Sequence, residues 1–419
     1  MHDANASIEA VWRIESTRLI ATLARMVRDV GLAEDLAQDA LVAALEQWPQ
    51  DGIPHSPGAW LLAVAKRRAI DQFRRYQRLD RKRDDLGRAS NGEATAPDFA
   101  DLIDDDIGDD VLRLMFVACH PVLSTEGRVA LTLRLLGGLT TDEIARAFLV
   151  PTTTVAQRIF RAKRTLAESG ATFEVPGGDE RSRRLASVLE VVYLIFNEGY
   201  AATAGDNWVR PALCDDALRL GRMLAALAPE EPEAAGLIAL MELQASRLRA
   251  RVGPDGAPVL LLDQDRRRWD RLLIRRGLAA LERAQQLRPA MGPYSLQAAI
   301  AACHARAWRP EDTDWERIVA LYDALVQISP SPVVELNRAV AVGMAFGPAA
   351  GLALVDALAG EPALQHYHLL PSVRGDLLSK LGRFAEAGRE FERAAIMTTN
   401  AAERKLNADR AAMALEKAV

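Results

Sequence analysis

The feature that most constrains the fold of this chain is the helical spacing of its apolar residues, most of which are Ala and Leu. Both residue types favour helices, and the long alternating runs of Val, Ile and Thr that indicate strands are missing. The sequence therefore predicts an all-α fold. At 419 residues the chain is too long for one ordinary core, so several helical domains are expected.

Changes in charge along the chain predict its domain boundaries. From Trp60 to Arg83 there are nine Lys or Arg against two Asp, whereas from Asp98 to Asp110 there are seven Asp and no basic residue. The stretch between them lacks helical periodicity and is typical of a linker. The expected segments are a helical domain at 1–83, an acidic flexible linker at 84–110, a second helical domain at 111–172, a helical extension domain at 173–269 and helical repeats at 270–419.

The cysteines and the apolar runs indicate a cytoplasmic protein. Cys119, Cys214 and Cys303 are far apart and odd in number, which argues against a disulfide framework. There is no signal-peptide pattern at the N-terminus, and no apolar run approaches the roughly 20 residues of a membrane span. The pairs Cys119-His120 and Cys303-His304 lack the spacing of a zinc site, so buried cysteines and no metal or other cofactor are expected.

The stretch 140-TTDEIARAFLVPTTTVAQRIFRAKRTLAE-168 has the pattern of a helix-turn-helix. A threonine at 140 or 141 can cap a first helix, the chain breaks at 149–151, and one of the threonines at 152–154 can cap the second helix. Val155, Ile159, Ala162 and Leu166 form one apolar face of that helix. The polar groups expected to bind duplex DNA are Thr152, Thr153, Thr154, Gln157, Arg158, Arg161, Lys163 and Arg164. The alternative is a basic amphipathic helix on the surface of a helical bundle.

A second basic helix is predicted at 60-WLLAVAKRRAIDQFRRYQR-78. Its basic face carries interleaved aromatic rings, a combination that suits single-stranded nucleic acid because cations follow the backbone and rings stack on unpaired bases. The residues expected to bind DNA are Lys66, Arg67, Arg68, Phe73, Arg74, Arg75 and Tyr76. The alternative is that the aromatic residues belong to the core, and for Trp60 the core is preferred.

The segment 31-GLAEDLAQDALVAALEQWP-49 predicts a helix with an acidic stripe, formed by Asp35, Gln38, Asp39 and Glu46. The opposite, packed face is expected to hold Leu36, Ala40, Leu41, Ala44 and Leu45. An acidic stripe is usually a solvated face. It can also be a docking face for a partner helix.

These parts, in this order, resemble an RNA polymerase sigma factor of the extracytoplasmic-function class. AEDLAQDAL at 33–41 resembles the helix by which that family docks on the core enzyme, which implies core polymerase as a partner and Asp35, Gln38 and Asp39 as contact residues. WLLAVAKRRAIDQFRR at 60–75 resembles the region that melts and reads the minus-ten promoter element. EGRVALTLRLLGGLTTDEIARAFLVPTTTVAQRIFRAKRTLAE at 126–168 resembles the domain that reads the minus-thirty-five element. The acidic residues at 101–110 are then expected either to enter the basic channel of the core enzyme or to form a solvated spacer.

Two motifs of the extension invite other interpretations. Asn197-Glu198-Gly199-Tyr200 could be a ligand loop, although a helix end with Gly199 as C-cap is preferred. In 259-VLLLDQDRRRWDR-271 the paired carboxylates Asp263 and Asp265 suggest a catalytic site. Because no histidine cluster or nucleophile accompanies them, an ion-paired interdomain or docking loop is preferred and no enzyme activity is expected.

From about residue 270 the chain repeats in units that end at Pro289, Pro330 and Asn400. Gly347 and Gly382 lie near the 34-residue tetratricopeptide period, so stacked helical hairpins with a protein or ligand partner are expected. LIFNEGY, DQDR and these repeats are similar to the long C-terminal extension of one group of these sigma factors. That resemblance implies regulation of the sigma factor in cis.

The sequence therefore predicts a transcription initiation factor that directs core polymerase to promoter DNA. A helix-turn-helix regulator with a repeat scaffold, acting on duplex DNA without polymerase, is the principal alternative. An enzyme within residues 180–270, using Glu198, Asp263 or Asp265, is the weaker one.

Overall fold

The computed structural model describes residues 2–84, 107–171, 173–254 and 256–418, without the side chains at 2–6, 72–84 and 107–109. Eighteen α-helices and no β-strand occur in these ranges, which confirms the all-α prediction. The chain separates into two compact units, Met1–Val191 and Val192–Val419. No helix within the described ranges has both the length and the apolar character needed to cross a bilayer.

The first unit contains seven complete helices and the start of an eighth. Their bounds are α1 His2–Val27, α2 Val30–Asp51, α3 Pro57–Asp84, α4 Ile107–Ala118, α5 Thr125–Leu135, α6 Thr141–Phe148, α7 Thr152–Ser169 and α8 Gly178–Tyr200. The helix α1 packs against α2, α3 and α4, and α5 packs against α7. Fully buried alanines, among them Ala37 and Ala40 on α2, present little side-chain bulk where these helices pack.

The second unit contains the end of α8 and ten further helices. Their bounds are α9 Pro211–Leu227, α10 Pro232–Ala245, α11 Arg271–Leu287, α12 Pro293–Arg306, α13 Trp315–Ile328, α14 Pro332–Phe346, α15 Pro348–Ala357, α16 Leu369–Lys380, α17 Phe384–Met397 and α18 Ala401–Glu416. Short 3₁₀ helices lie at Leu248–Ala250, Leu261–Asp263, Arg266–Arg268, Pro310–Asp312 and Pro362–Leu364.

From α12 onward each helix packs on the next along the chain, as expected for stacked helical hairpins. The matching apolar positions Leu281, Leu325 and Phe391 are all buried. Gly347 and Gly382 have φ angles of 100° and 74°; Gly347 lies directly before α15, and Gly382 lies two residues before α17. Glycine adopts this left-handed region without a steric penalty, so both residues mark turns between helices.

The preferred interpretation of Gly199 as a helix C-cap is wrong. Gly199 lies inside α8, which continues through Tyr200. A Cβ at this position would lie 2.7 Å from the backbone nitrogen of Cys214 and 2.9 Å from its sulfur. Glycine is therefore required by the close approach of the α9 backbone, not by the end of the helix.

The segment 259–271 is held by local ion pairing and capping. Asp265 pairs with Arg267 at 2.9 Å, and Asp270 accepts hydrogen bonds from the amides of Leu272 and Leu273 as the N-cap of α11. These carboxylates serve the backbone and a neighbouring arginine, which agrees with the preferred ion-paired loop. The predicted burial of Cys119, Cys214 and Cys303 is confirmed, and all three are free thiols.

Candidate nucleic-acid interface

The structure confirms a helix, a tight turn and a second helix at 141–169. Thr140 is the N-cap of α6: its hydroxyl accepts from the amide of Glu143 at 3.2 Å, and the Glu143 carboxylate accepts from the amide of Thr140 at 2.8 Å. This backbone hydrogen bond is the main cause that lowers the pKa of Glu143. Leu149 then takes a left-handed conformation with φ of 51°, which places the predicted break where the sequence indicates it.

The prediction that a threonine caps the second helix is wrong. Pro151 occupies the N-cap position of α7, and its side chain makes no capping hydrogen bond. Thr152 is already helical, and its hydroxyl donates to Asp142 at 2.9 Å. Pro151 suits the extended backbone before the helix. Because Pro151 takes the N-cap position, the Thr152 hydroxyl is available to bind Asp142 at the start of α6.

The predicted division of α7 into two faces is confirmed for its apolar side. Val155, Ile159, Ala162 and Leu166 are all buried. Of the eight residues expected to bind duplex DNA, Thr154, Arg158 and Lys163 are half-buried, and the others are exposed: Thr152, Thr153, Gln157, Arg161 and Arg164. The exposure of Phe160 on the same helix, with 66% of its surface accessible, was not predicted.

The basic residues of α7 differ in what already binds them. Arg164 pairs with Glu168 at 2.6 Å, both of them exposed, and Lys163 pairs with Glu34 of α2 at 2.6 Å. Within the described ranges the side chains of Arg158 and Arg161 form no hydrogen bond and no ion pair. These two arginines are therefore the cations of α7 that are free to meet a phosphate or a guanine.

The described part of the basic helix α3 shows a similar contrast. Arg67 is exposed, whereas Arg68 pairs with Asp39 of α2 at 3.1 Å. Lys66 is half-buried, and burial together with the nearby Arg25 lowers its pKa. Trp60, for which the core was preferred, is half-buried and packs edge-on against the buried Trp48, with ring centroids 5.2 Å apart. The side chains of Phe73, Arg74, Arg75 and Tyr76, and the acidic residues at 101–106, lie outside the described part of the chain.

On α2 the acidic stripe is in place, but its apolar neighbour differs from the expectation. Asp35 and Asp39 are exposed, and Gln38 donates to Glu34 at 2.8 Å. Leu45 was expected on the packed face, yet 42% of its surface is exposed, and Leu41 is half-buried. The alanines of α2 are the residues that are packed closely against its neighbours. Leu41 and Leu45 line a recess of about 410 Å³, which Trp12 also lines.

The most buried charge of this unit is Asp110, which was expected in the acidic linker and instead lies in α4, paired with Arg25 at 3.1 Å and Arg113 at 2.8 Å. Glu34 is the next most buried charge, and the sequence interpretation did not single it out. Its side chain is 5% exposed and pairs with Arg134 of α5 and Lys163 of α7, each at 2.6 Å. Burial raises the pKa of Glu34, but the two cations outweigh it and hold the pKa below the ordinary value. We call Glu34, Gln38, Arg134 and Lys163 the Glu34 cluster. The spacing of Glu34 and Gln38, four residues apart on one helix face, could be read from the sequence. The pairing of Glu34 with Arg134, 100 residues away, and with the still more distant Lys163 could not.

The structure therefore brings together residues that the sequence assigned to different partners. Gln38 and Lys163 meet in the Glu34 cluster, and Asp39 meets Arg68. In each case a residue expected to contact core polymerase lies beside a residue expected to contact DNA. Some of the side chains that were expected to contact polymerase or DNA are therefore paired within the chain.

Comparison with known families assigns three segments of the chain. Residues 13–79 match the model of sigma-70 region 2, and residues 113–166 match that of sigma-70, region 4. Residues 184–285 match a family of unknown function, DUF6596. The two sigma segments contain α2 with most of α3, and the helix-turn-helix.

Three relatives illustrate how far the similarity extends. An uncharacterized protein of Rhizobium meliloti (strain 1021) is 47% identical over 92% of this chain and 90% of its own length. The ECF RNA polymerase sigma factor SigK of Mycobacterium ulcerans is 30% identical over 36% of this chain and 78% of its own length. The probable ECF RNA polymerase sigma factor SigI of Mycobacterium tuberculosis is 28% identical over 42% of this chain and 59% of its own length. The chain belongs to the extracytoplasmic-function (ECF) family of RNA polymerase sigma factors, with sigma-70 regions 2 and 4 followed by a helical extension that contains a DUF6596 domain.

Proposed function

We propose that the exposed side of α7 holds the duplex of the minus-thirty-five promoter element. The observation that carries this proposal is that Arg158 and Arg161, three residues apart on the second helix of the helix-turn-helix, have no protein partner within the described ranges. Thr152, Thr153 and Gln157 are at or near the N-terminal end, which is the end of a recognition helix that meets base edges. Lys163 and Arg164 would add phosphate contacts once released from their carboxylates.

For the melted minus-ten element we propose α3. Arg67 is exposed without an ion pair in the described part of the chain and is available to a phosphate. Lys66 and Arg68 lie beside it, and Arg74, Arg75, Phe73 and Tyr76 follow within the next turns of the same helix. Cations with interleaved rings suit an unpaired strand.

Core polymerase is proposed to bind the exposed stripe of α2 through Asp35, Gln38 and Asp39. Beside this stripe Val42 and Leu45 leave 49% and 42% of their surfaces exposed. Apolar side chains that are exposed next to charged ones are typical of a protein interface. The stripe therefore offers both the charge and the apolar surface that a partner helix needs.

We further propose that docking on polymerase releases the Glu34 cluster. Two of the cluster's contacts join α2 to α5 and to α7, and the third lies within α2. A partner that binds α2 would therefore compete with the helix-turn-helix for the same helix. The full chain with Glu34→Gln is then expected to bind minus-thirty-five duplex more tightly than wild type in the absence of polymerase, because Lys163 loses its carboxylate. Equal affinity of the two proteins, measured by fluorescence anisotropy, would contradict this step.

The extension is proposed to regulate the sigma factor in cis. Support comes from α8, whose residues fall in both compact units. In the first unit Ser187 accepts from Arg128 of α5 at 2.6 Å and donates to the carbonyl of Cys119 at 2.6 Å. In the second unit Ile195 and Phe196 of the same helix are fully buried. A change in the extension could therefore reach the helix-turn-helix through α8.

The test of these roles is transcription by purified core polymerase supplied with the full chain. Wild type is expected to give promoter-dependent transcripts. Arg158→Ala is expected to lose transcription that depends on the minus-thirty-five element, and Arg67→Ala transcription that depends on the minus-ten element. If the chain binds duplex DNA, does not bind core polymerase and yields no transcript, the result would support a regulator that acts without polymerase.

A further inference from the structure

The second unit contains a group of arginines and aromatic rings that the sigma-factor activity does not use. The Arg251 guanidinium lies 3.8 Å from the centre of the Tyr200 ring and 5.3 Å from that of Trp208. Arg247 lies over the same Tyr200 ring at 5.8 Å and over the ring of Trp269 at 5.7 Å. We call these five residues the arginine–aromatic cluster.

Its two arginines lack the acidic partners that buried cations usually have. Arg251 is 9% exposed, and its one hydrogen bond runs to the carbonyl of Tyr200 at 3.0 Å. Among the residues that the structure describes, neither Arg247 nor Arg251 pairs with a carboxylate, and Nε of Arg251 has no hydrogen-bond partner. The same holds for Nε1 of the buried Trp269. Donors that are buried and unpaired destabilise a fold unless an acceptor reaches them.

Arg266, in the same unit, is an example of a buried arginine whose guanidinium is held by acceptors of the protein. It is 4% exposed and donates to the carbonyls of His304 and Ala307 at 2.9 and 2.7 Å and to the Thr313 hydroxyl at 3.1 Å. Nε of Arg266 has no hydrogen-bond partner, but its two terminal nitrogens meet three acceptors of the protein. Arg251 differs because its guanidinium meets a single acceptor, the Tyr200 carbonyl. The side chain of Arg247 meets no acceptor among the described residues.

The surroundings of the cluster are cationic. Burial, together with Arg247 and Arg266, lowers the pKa of His304 to about 3, so this imidazole is neutral. Burial and the neighbouring Arg247 also lower the pKa of Arg251. Glu403 is close enough to feel Arg251, but its carboxylate is already bound to His368 at 3.0 Å and to Thr398 at 2.7 Å. The acidic Glu311 and Asp312 lie close enough to Arg266 to act on its pKa, whereas no carboxylate of the described residues is bound to Arg247 or Arg251.

Part of the cluster is open to solvent. Arg247 is half-buried, as are the neighbouring Tyr193 and Tyr322. Burial raises the pKa of both tyrosines, that of Tyr322 to about 12. Tyr322 is also close enough to Arg247 for the guanidinium to shift its pKa, and Tyr193 is similarly close to Tyr200.

We propose that the arginine–aromatic cluster is the binding site of a small oxyanion, a phosphate or carboxylate group on a small molecule. The anion would accept from the Arg247 and Arg251 guanidiniums and neutralise their mutual repulsion, and the aromatic rings would exclude water and strengthen those bonds. The site lies entirely within the extension and needs neither DNA nor polymerase. Its occupation does not depend on the sigma-factor residue roles proposed above.

Binding is tested on the full chain by isothermal titration calorimetry and thermal unfolding with inorganic phosphate, phenyl phosphate and malonate, at constant ionic strength set with NaCl. At least one of the three is expected to raise Tm and give a saturable Kd. A preference for the two phosphates or for malonate identifies the group that the site takes.

The decisive variant is Arg247→Gln, with Arg249→Gln as its matched control. Arg249 lies two residues further along, in the short helix Leu248–Ala250 that Arg247 precedes, and is exposed. Arg247→Gln is expected to weaken Kd by about ten- to a hundredfold while leaving the Tm of the unliganded protein unchanged or higher, because it removes a charge without an acidic partner. Arg249→Gln is expected to bind as wild type does.

Absence of binding by all three anions overturns the proposal. So does an Arg247→Gln protein that binds as wild type does. A fall in the Tm of unliganded Arg247→Gln, combined with no anion binding by wild type, assigns the cluster a packing role only.

Discussion

At the scale of single residues, ion pairing within the protein decides which cations are free. Arg158 and Arg161 have no protein partner in the described part of the chain, whereas Lys163, Arg164 and Arg68 are each held by a carboxylate. The exposed pair of Arg164 and Glu168 contributes little stability and is readily exchanged for a phosphate. The Lys163 pair is different because its carboxylate is buried.

Replacement of Arg158 by alanine is expected to weaken promoter binding by about 1–3 kcal/mol through the minus-thirty-five element if the guanidinium reads a base. Affinity of the polymerase holoenzyme would be measured on matched promoters with intact and scrambled upstream elements. Arg161→Ala serves as comparison. A loss of equal size on both promoters would reassign Arg158 to a phosphate contact.

Replacement of Glu34 by glutamine is expected to destabilise the first unit by about 1–3 kcal/mol at pH 7, because two partly buried cations lose their carboxylate. The folded-state pKa of Glu34 lies below its ordinary value, so its contribution is complete above the unfolded-state pKa and is lost as the pH falls through the folded-state pKa. The variant should therefore lose less stability than wild type between neutral and acidic pH.

Urea unfolding at a series of pH values measures this difference. Asp39→Asn is the matched control, since Asp39 pairs with Arg68 at the surface, with 58% of its side chain exposed. The control is expected to change stability by less than about 1 kcal/mol. Equal acid sensitivity of Glu34→Gln and wild type would show that the Glu34 pair does not stabilise the fold.

At the scale of elements, local patterns predicted more than contacts distant in sequence. The spacing of Val155, Ile159, Ala162 and Leu166 predicted the buried face of α7, because one stripe of a helix always packs. The same argument held for Leu36 but failed for Leu45, since α2 packs closely through its alanines and leaves Leu45 exposed beside a recess. Helical periodicity also could not predict the partners of Glu34, because tertiary packing and not the spacing of residues within one helix brings them together.

Capping illustrates the same limit. The signal at Thr140 was strong because a capping box needs only residues three apart, and it is confirmed. At α7 three threonines follow a proline, and the sequence could not show that Pro151 would take the N-cap position. The hydroxyl of Thr152 went to Asp142, a partner on the preceding helix.

The close contact of α8 with α9 gives a prediction at this scale. Gly199→Ala is expected to destabilise the second unit by about 1–3 kcal/mol, because the new methyl group would meet the Cys214 backbone. Gly177→Ala is the control, since nothing lies within 4 Å of a Cβ there. Differential scanning calorimetry of both full-length variants measures the difference, and equal Tm values would refute the packing role of Gly199.

At the scale of the whole molecule, the chain joins a sigma factor to a helical extension through α8. Ser187 is buried in the first unit and holds both Arg128 and the carbonyl of Cys119. If the extension acts through this helix, Ser187→Ala should change transcription in the same direction as removal of residues 173–419. Runoff assays with equal amounts of each protein measure the direction. Opposite directions, or a Ser187→Ala protein identical to wild type, would exclude α8 as the route.

The central claim is that this chain recruits core RNA polymerase to specific promoters. The most direct measurement is in vitro transcription by purified core polymerase over a pooled library of upstream regions from the source genome, with and without the full chain. We predict a small set of transcripts that appear only with the protein and that are reduced by Arg158→Ala. The absence of any protein-dependent transcript, together with no co-elution of the chain with core polymerase, would contradict the account.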